Sequence, residues 1–441
     1  MFTSIIAILG AIISFLFFLI GKVAFIWAPI ILMYTAFQLW HHFVSERFIL
    51  GMQWSLLEIE VPRDVEKGPM AMELIFTNAM YHASQKGLWE VWFVGAVHFW
   101  YSLEIVGIDG VVKFYIRSPS RIRDVIETQI YAQYPQAKVR DAEDYSMRVN
   151  FKAPDDDWHV WGTEFMLSEH DSIPLRTYVD YGLDKPTDKE QLKIDPLTPT
   201  IEYLGALKRG EQVWIQHVVR PSSKSYHSHT THKHIGWVEE ANEHMSRLMA
   251  PYTQQFRSTV AGQENKTGSD FGVQIRLPDN VSARIKKIQE KIQKQGFDIG
   301  IRVMVVAEKK YVSLDQFKNL RMSSRILFRQ FNNPDGNSIV RVNSTQFGAP
   351  YADPTGLVLH KLQNRMLNWY RLRIFYHPPL WYSINYPMLI EKFFPSRRPN
   401  INVVNVQELA TLFHFPGQVS QAPSFKRIES KVAKPPSNLP I

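Results

Sequence analysis

The N-terminus of this chain is almost uncharged. Residues 2–40 contain one formally charged side chain, Lys22, which lies between the apolar runs Ile5–Ile20 and Val23–Trp40. In a helix, about 20 apolar residues cross the roughly 30 Å hydrocarbon core of a bilayer. The sequence therefore predicts a transmembrane anchor over residues 1–50, built either as a helical hairpin or as one long or tilted helix.

Two observations concern the processing and the orientation of this anchor. A cleaved signal peptide needs a basic start and a small-residue cleavage site, and neither is visible in the sequence. His41, His42 and Arg47 follow the second apolar run. The positive-inside rule then predicts that the residues after Arg47 lie in the cytoplasm. We expect the anchor itself to lie in the cell inner membrane.

Composition limits the classes of protein that the rest of the chain can form. The 441 residues are 45% hydrophobic and 21% charged, as in a globular protein. A mean hydropathy of −0.19 excludes a polytopic membrane protein. The absence of cysteine excludes disulfides, thiolate metal sites and cysteine nucleophiles. A net charge of +8 favours an anionic neighbour such as lipid headgroups or nucleic acid.

Residues 51–183 alternate between strand and helix patterns. Asp109-Gly110 separates two β-rich runs and predicts a hairpin, because both turn positions favour positive φ. The order helix, strand, strand, helix, strand predicts a first α+β domain with an antiparallel, ferredoxin-like sheet. The predicted strands are Trp54–Val61, Val91–Val97, Leu103–Val106, Val111–Arg117 and Ala137–Arg140, and the predicted helices are Gly68–Lys86 and Ser120–Pro135.

A similar unit is predicted for residues 271–345, as a second ferredoxin-like domain. Residues 184–270 are predicted to connect the two domains through a strand at 211–220 and a His-rich loop, and residues 346–441 to hold a basic aromatic segment, a short helix and a Pro-rich tail. The elements of the second domain are strands at Val273–Leu277 and Phe297–Ala307, a helix with Val281, Ile285, Ile288 and Ile292 on one face and Gly296 as its cap, and a helix from Ser313 to about Phe331.

The sequence lacks the common motifs of nucleotide-binding and hydrolytic enzymes. No Gly-x-x-x-x-Gly-Lys-Ser/Thr, Gly-x-Gly-x-x-Gly, Gly-x-Ser-x-Gly or His-Glu-x-x-His motif occurs. Glu104 and Arg117 are predicted to form an ion pair across the hairpin, without catalytic meaning. We therefore expect a protein that is not an enzyme and that holds no cofactor.

One cluster of imidazoles stands out. It consists of His227, His229, His232 and His234. His-rich tracts bind zinc, nickel or copper, but this one contains no acidic residue and its Ser/Thr-rich spacing is typical of a polar surface loop. Weak transition-metal binding and a plain surface loop stay as alternatives.

A second cluster interleaves cations and rings. Its cations are Lys361, Arg365, Arg371 and Arg373, and its rings include Trp369, Tyr370, Phe375 and Tyr376. Such a pattern is compatible with an anionic lipid or partner surface, with nucleic acid, or with an amphipathic helix whose aromatic face lies in the core.

Several short motifs from Trp54 to Ile441 resemble a known family. They are Leu57–Ile59, Phe114–Arg117, Gln129–Pro135, Gly210–Gln212, Trp214–Gln216, Gly296–Asp298, Gly300–Arg302, Phe375–Pro379, Glu408–Gly417 and Asn438–Pro440. In these motifs the chain resembles conserved membrane proteins of candidate-phyla-radiation (Patescibacteria) bacteria. In that family the region is encoded beside, or fused ahead of, a type IV secretion-like ATPase of the coupling-protein class that handles DNA. The resemblance implies a membrane platform without catalytic residues, with the ATPase on another polypeptide.

A C-terminal helix with an apolar side is a candidate docking element for that ATPase, with core packing as the alternative. Its candidate residues are Leu409, Leu412, Phe413, His414, Phe415, Pro416 and Gly417. The leading hypothesis is thus a non-catalytic, membrane-anchored scaffold that contacts membrane lipid and a separate ATPase, with DNA and a second copy of the chain as open partners. The runner-up is an envelope structural or anionic-lipid-binding protein unrelated to secretion.

Overall fold

A computed structural model gives the fold. It describes residues 21–22, 24–61, 67–81, 86–152, 156–184, 194–222, 235–261, 277–345, 353, 355–376 and 401–416. The chain divides into two compact units. We call the first unit the helical unit; its described residues are 21, 22, 24–52 and 86–98. We call the second unit the sheet unit; it contains all the other described residues.

The described elements are numbered in chain order. The helical unit contains α1 (Ala24–Gly51) and a helical segment, residues 88–94, of which Glu90–Val94 is a π-helix. The strands of the sheet unit are β1 (Trp54–Glu60), β2 (Tyr101–Ile108), β3 (Val111–Pro119), β4 (Lys138–Asp141), β5 (Trp158–Leu167), β6 (Glu211–Pro221), β7 (Gly296–Glu308), β8 (Ile339–Val342) and β9 (Asn402–Asn405). Its helices are α2 (Pro69–Ile75), α3 (Arg123–Gln133), α4 (Thr198–Gly205), α5 (Trp237–Ala261), α6 (Asp279–Ile292), α7 (Leu314–Ser323), α8 (Leu357–Leu372) and α9 (Val406–Leu412).

Within the described residues, the nine strands form one antiparallel sheet. Its order is β4-β1-β3-β2-β6-β7-β5-β8, and β9 pairs with β7 at Gly296–Ile299, next to the stretch that pairs with β5. The two halves of the sheet have the same layout. In the first half, β4 lies at the edge and is followed by β1, β3 and β2. In the second half, β8 lies at the other edge and is followed by β5, β7 and β6. The two halves meet in the middle of the sheet, where β2 pairs with β6.

The sheet is covered on both faces. On one face α2, α3, α4, α7 and α9 pack on a large apolar core that includes Ile126, Ile201 and Phe317. On the other face α8 contributes Met366, Leu367 and Tyr370 to a smaller core. β7 lies in the middle of the sheet and is buried along almost its whole length, which explains its long apolar sequence.

Several predicted elements are confirmed. The chain is α+β with a large antiparallel sheet, and the hairpin turns at Asp109 and Gly110, which have φ of 52° and 78°. Ser313 opens α7 through a capping box with Gln316. The apolar face of α6 packs as predicted, with Ile285 and Ile288 buried.

Other predictions differ from the structure. Residues 91–94, predicted as part of a strand, belong to the helical segment 88–94. Gly296 begins β7 instead of capping a helix. The strands predicted for residues 51–183, 184–270 and 271–345 pair in one sheet, because β2 joins β6 and β6 joins β7. Most of the strand predicted at 273–277 lies outside the described residues.

The predicted transmembrane anchor receives no support from the described helices. Among the residues that the structure describes, no helix has the length and the apolar character needed to cross a membrane. The first predicted run, Ile5–Ile20, lies outside those residues, and residues 24–40 of the second belong to one helix, α1, with Pro29 inside it.

Candidate functional site

Most of the predicted docking residues belong to the described part of the chain, whereas the predicted metal residues do not. The four histidines of the His-rich tract lie in 223–234, outside the described residues, as does Gly417. In the described residues, no group of three or more histidine, aspartate or glutamate side chains is arranged to hold a metal ion.

The candidate docking segment is part of the core. Leu409, Leu412, Phe413, His414, Phe415 and Pro416 are all buried. The Phe413 ring lies 6.4 Å from that of Phe76 and 5.7 Å from that of Phe114. His414 Nε2 lies 3.0 Å from Asp195 Oδ1. These side chains are therefore not available to a partner, and their placement corresponds to the core-packing alternative.

A buried ion pair holds this segment in place. Lys291 Nζ lies 3.0 Å from Glu408 Oε2, and both side chains are 0% exposed. Glu408 also accepts hydrogen bonds from the backbone N–H groups of Asn405 (2.8 Å) and Leu175 (2.7 Å). These contacts give both oxygens of the Glu408 carboxylate a partner inside the protein.

The cations of the basic aromatic segment are spread over different environments. Lys361 is exposed, Arg365 is half-buried, and Arg371 donates to the backbone carbonyls of Ser146 and Val149. Arg373 is buried. The four therefore do not share one anionic-contact surface, and Tyr370 packs in the core as the amphipathic-helix alternative expects.

Arg373 is the centre of a buried polar network. Its Nε lies 2.9 Å from Glu104 Oε1, and its guanidinium also binds Asp144. Glu104 accepts further hydrogen bonds from the hydroxyls of Ser102 (2.6 Å) and Tyr145 (2.7 Å). Burial alone raises the pKa of Glu104, but the charge of Arg373 and these hydrogen bonds outweigh it, so the pKa lies below its usual value.

A second buried pair lies on the same face of the sheet. Arg302 Nη2 is 2.8 Å from Glu164 Oε1, and the guanidinium lies 4.4 Å from the centre of the Phe375 ring. Asn343 Nδ2 donates to the other oxygen of Glu164 at 3.1 Å. Sequence reasoning missed this pair, although a charged residue inside the apolar run of β7 was an available signal.

These buried carboxylates are engaged as ion pairs. Glu104, Glu164 and Glu408 each bind an arginine or lysine and are almost inaccessible to solvent. General acid–base chemistry needs a carboxyl group whose proton is exchangeable near the working pH and within reach of a substrate. The arrangement is suited to holding the sheet and its covering segments together.

The helical unit has a very different surface. Five consecutive residues of α1, Ile30–Tyr34, are all exposed, with Met33 at 71%. Since successive helical residues are 100° apart, five of them cover the whole circumference. A water-facing helix of a globular protein carries polar residues on its outer side. This part of α1 is instead apolar all round.

The 88–94 segment extends this apolar surface. The Trp92 ring stacks 4.8 Å from that of Phe37, and Leu88 is 79% exposed. The segment ends at Gly95, with φ of 74°, where a Cβ would lie 2.3 Å from the Val44 carbonyl. Only glycine allows this close crossing of two backbones.

A groove of about 470 Å³ lies between α1 and this segment. Trp40, Phe48 and Phe93 line it, together with the single cation Arg47. Exposed apolar surface of this extent is characteristic of contact with lipid or with another protein. We therefore take the exposed surface of the helical unit as the candidate functional site.

Two comparisons with known proteins bear on identity. A search among curated proteins gives no match. The family described as a domain of unknown function (DUF8128) matches residues 51–371. Since this match spans well over half of the chain, the protein belongs to that family.

Proposed function

We propose that the protein is a non-catalytic platform anchored in the cell inner membrane. The observation that carries the proposal is the stretch Ile30–Tyr34 of α1, where every side chain is apolar or aromatic and exposed. Exposing such side chains to water costs about 25 cal/mol per Å². If α1 lies in lipid, these side chains do not face water and this cost does not arise. A helix surrounded by lipid also needs no polar side.

The sequence around α1 supports the same placement. The uncharged run Ile5–Ile20 precedes it, and Arg47 and two histidines occur in its last part. Basic residues beside an apolar run favour the cytoplasmic side. The sheet unit would then lie in the cytoplasm.

The proposed role of the sheet unit is to dock a separate DNA-handling ATPase of the type IV secretion coupling class. The support is the resemblance to membrane proteins of Patescibacteria, and the lack of a phosphate-binding loop in the sequence. The engaged state of Glu104, Glu164 and Glu408 favours a structural over a catalytic role. Docking would use exposed surface of the sheet unit, since residues 409–416 are buried.

We also infer that each half of the sheet is a ferredoxin-like unit. The support is the strand order 4-1-3-2 in both halves, β4-β1-β3-β2 and β8-β5-β7-β6. Crossover helices follow the first and third strands of each half, as in a βαββαβ unit. In the second half, α5 and α6 are inserted between the second and third strands.

An envelope structural or anionic-lipid-binding protein without an ATPase partner is the second candidate, because the apolar surface of α1 supports it equally. Co-purification separates the two. The full chain, solubilised from membranes in detergent, should retain an ATPase encoded beside it at near-equal amounts. A preparation that fractionates with membranes but never retains that ATPase would leave only the second candidate, and a chain found in the aqueous fraction would contradict both.

A further inference from the structure

Three aromatic residues of the sheet unit lie where the chain passes to or from the helical unit. An arginine guanidinium packs on the ring of each of them. Three of the five unit boundaries fall after residues 52, 98 and 376. Next to them, the guanidinium of Arg117 lies 4.2 Å from the Trp54 ring, that of Arg121 lies 4.4 Å from the Phe99 ring, and that of Arg220 lies 4.1 Å from the Tyr376 ring.

These three pairs lie at one end of the sheet. β1 and β2 begin there, and β3 and β6 end there, since Trp54 pairs with Pro119 and Tyr101 pairs with Val219. The Tyr376 hydroxyl donates to a backbone carbonyl of β6 at 2.7 Å. We call the residues Trp54, Phe99, Arg117, Arg121, Arg220 and Tyr376 the arginine–aromatic rim.

The three arginines of the rim differ in how many hydrogen-bond and ion-pair partners their guanidinium groups have within the described chain. Arg220 binds Asp298 at 2.8 Å. Arg117 is largely buried, and its Nη1 has no hydrogen-bond partner among the described residues. Arg121 is exposed, and within the described chain it packs on Phe99 and pairs with no carboxylate. Arg121 therefore presents its donors to the surroundings.

A short stretch of chain joins α1 to the first aromatic residue of the rim. Leu50, near the end of α1, is 79% exposed, and Trp54 follows Gly51 by three residues. Three residues of fully extended chain span at most about 10 Å. If α1 is held in lipid, the start of β1 is therefore held near the lipid surface.

We propose that the arginine–aromatic rim binds the phosphate groups of anionic phospholipids, with Arg121 as the main contact. This rests on the membrane attachment proposed above and adds the lipid class and the residues. A guanidinium offers a fork of donors that matches a phosphate. Tryptophan and tyrosine place their rings at the level of the headgroups, and an arginine near an anionic surface contributes about fivefold in binding.

Chemical protection of Arg121 tests this in the intact chain. The full-length protein is placed in nanodiscs of phosphatidylcholine alone or with 30% phosphatidylglycerol, and arginine modification by phenylglyoxal is followed by mass spectrometry. Arg209 is the internal control, because it is exposed and packs on the Tyr311 ring at 4.6 Å beside the start of β6, at the opposite end of the sheet.

We expect phosphatidylglycerol to slow the modification of Arg121 several-fold and to leave that of Arg209 unchanged. The variant Arg121→Gln should lower the preference of the chain for phosphatidylglycerol discs by about fivefold, while Arg209→Gln should not. Incorporation into both discs with equal modification of Arg121 would overturn the rim proposal alone. Failure to enter either disc would overturn the membrane attachment as well.

Discussion

The buried charges show how side chains far apart in sequence come to depend on each other. Glu104 and Arg373 are 269 positions apart. Sequence reasoning paired Glu104 with Arg117 instead, and this was wrong, because the register places Tyr115 opposite Glu104 and Ser102 opposite Arg117. A local pattern predicts neighbours on a hairpin, but it holds no information about a helix end that arrives from another part of the chain.

Removing Arg373 tests whether this network stabilises the fold. We expect Arg373→Met to lower the free energy of unfolding by about 3–5 kcal/mol, because the Glu104 charge stays buried without its partner. Urea denaturation followed by far-UV circular dichroism measures this. The double variant with Glu104→Gln should lose less than the sum of the single variants. If Arg373→Met lowers the free energy of unfolding by less than about 1 kcal/mol, the Glu104–Arg373 pair does not stabilise the fold.

A buried histidine makes stability depend on pH. Burial lowers the pKa of His217 to about 4 from an ordinary value of 6.5. Below pH 6.5 the unfolded chain takes up a proton that the folded chain refuses, so stability is lost as the pH falls towards 4. Between pH 7.5 and 4.5 this amounts to about 2–3 kcal/mol.

The variant His217→Gln should remove that part of the acid sensitivity. Denaturant unfolding at the two pH values measures it, and the difference in unfolding free energy between them should be about 2–3 kcal/mol smaller in the variant than in the natural chain. His244→Gln is a comparison, because burial and nearby cations also lower the pKa of His244, to about 4, at a less buried position. An unchanged pH dependence in His217→Gln would contradict the assignment.

At the scale of elements, local chemistry explains which predictions succeeded. The turn at Asp109-Gly110 and the helix start at Ser313 each depend on a few adjacent residues, and both predictions are confirmed. Val91–Val97 has β-branched and aromatic residues that favour a strand. Residues 88–94 are helical instead, with Trp92 stacked on Phe37 of α1, so packing overrides propensity.

The crossing at Gly95 depends on the absence of a side chain at that position. Gly95→Ala should loosen it, because the new Cβ would meet the Val44 backbone at 2.3 Å in addition to the cost of a positive φ. Amide hydrogen exchange of residues 86–97 should become faster. Gly182→Ala is the matched control, since Gly182 has φ of 69° but nothing within 4 Å of the added Cβ. Equal local effects of the two variants would refute the close crossing.

At the scale of the whole molecule, the α+β class was predictable and the single sheet was not. Strand patterns at 54–61, 111–117 and 297–307 were clear in the sequence, and all three form strands. The join between the two halves depends on eight residue pairs between β2 and β6, which no local pattern records. The sequence showed that residues 23–40 are uncharged, but it did not show that the side chains of Ile30–Tyr34 are exposed, because exposure is a property of the folded unit.

The central claim is that α1 is embedded in lipid. The chain has no cysteine, so a single introduced thiol can be followed alone. Met33→Cys and Ile194→Cys place it at two positions of similar exposure, 71% and 64%, one in the helical unit and one in the sheet unit. Both variants are treated with a charged, membrane-impermeant maleimide in open membrane fragments and again in detergent.

The thiol at position 194 should react in both conditions, and the thiol at position 33 should react at least tenfold more slowly in membranes. A denaturing detergent should abolish the difference and so confirm that both thiols are intact. Equal reaction rates in membranes would mean that α1 is surrounded by water and would contradict the membrane platform.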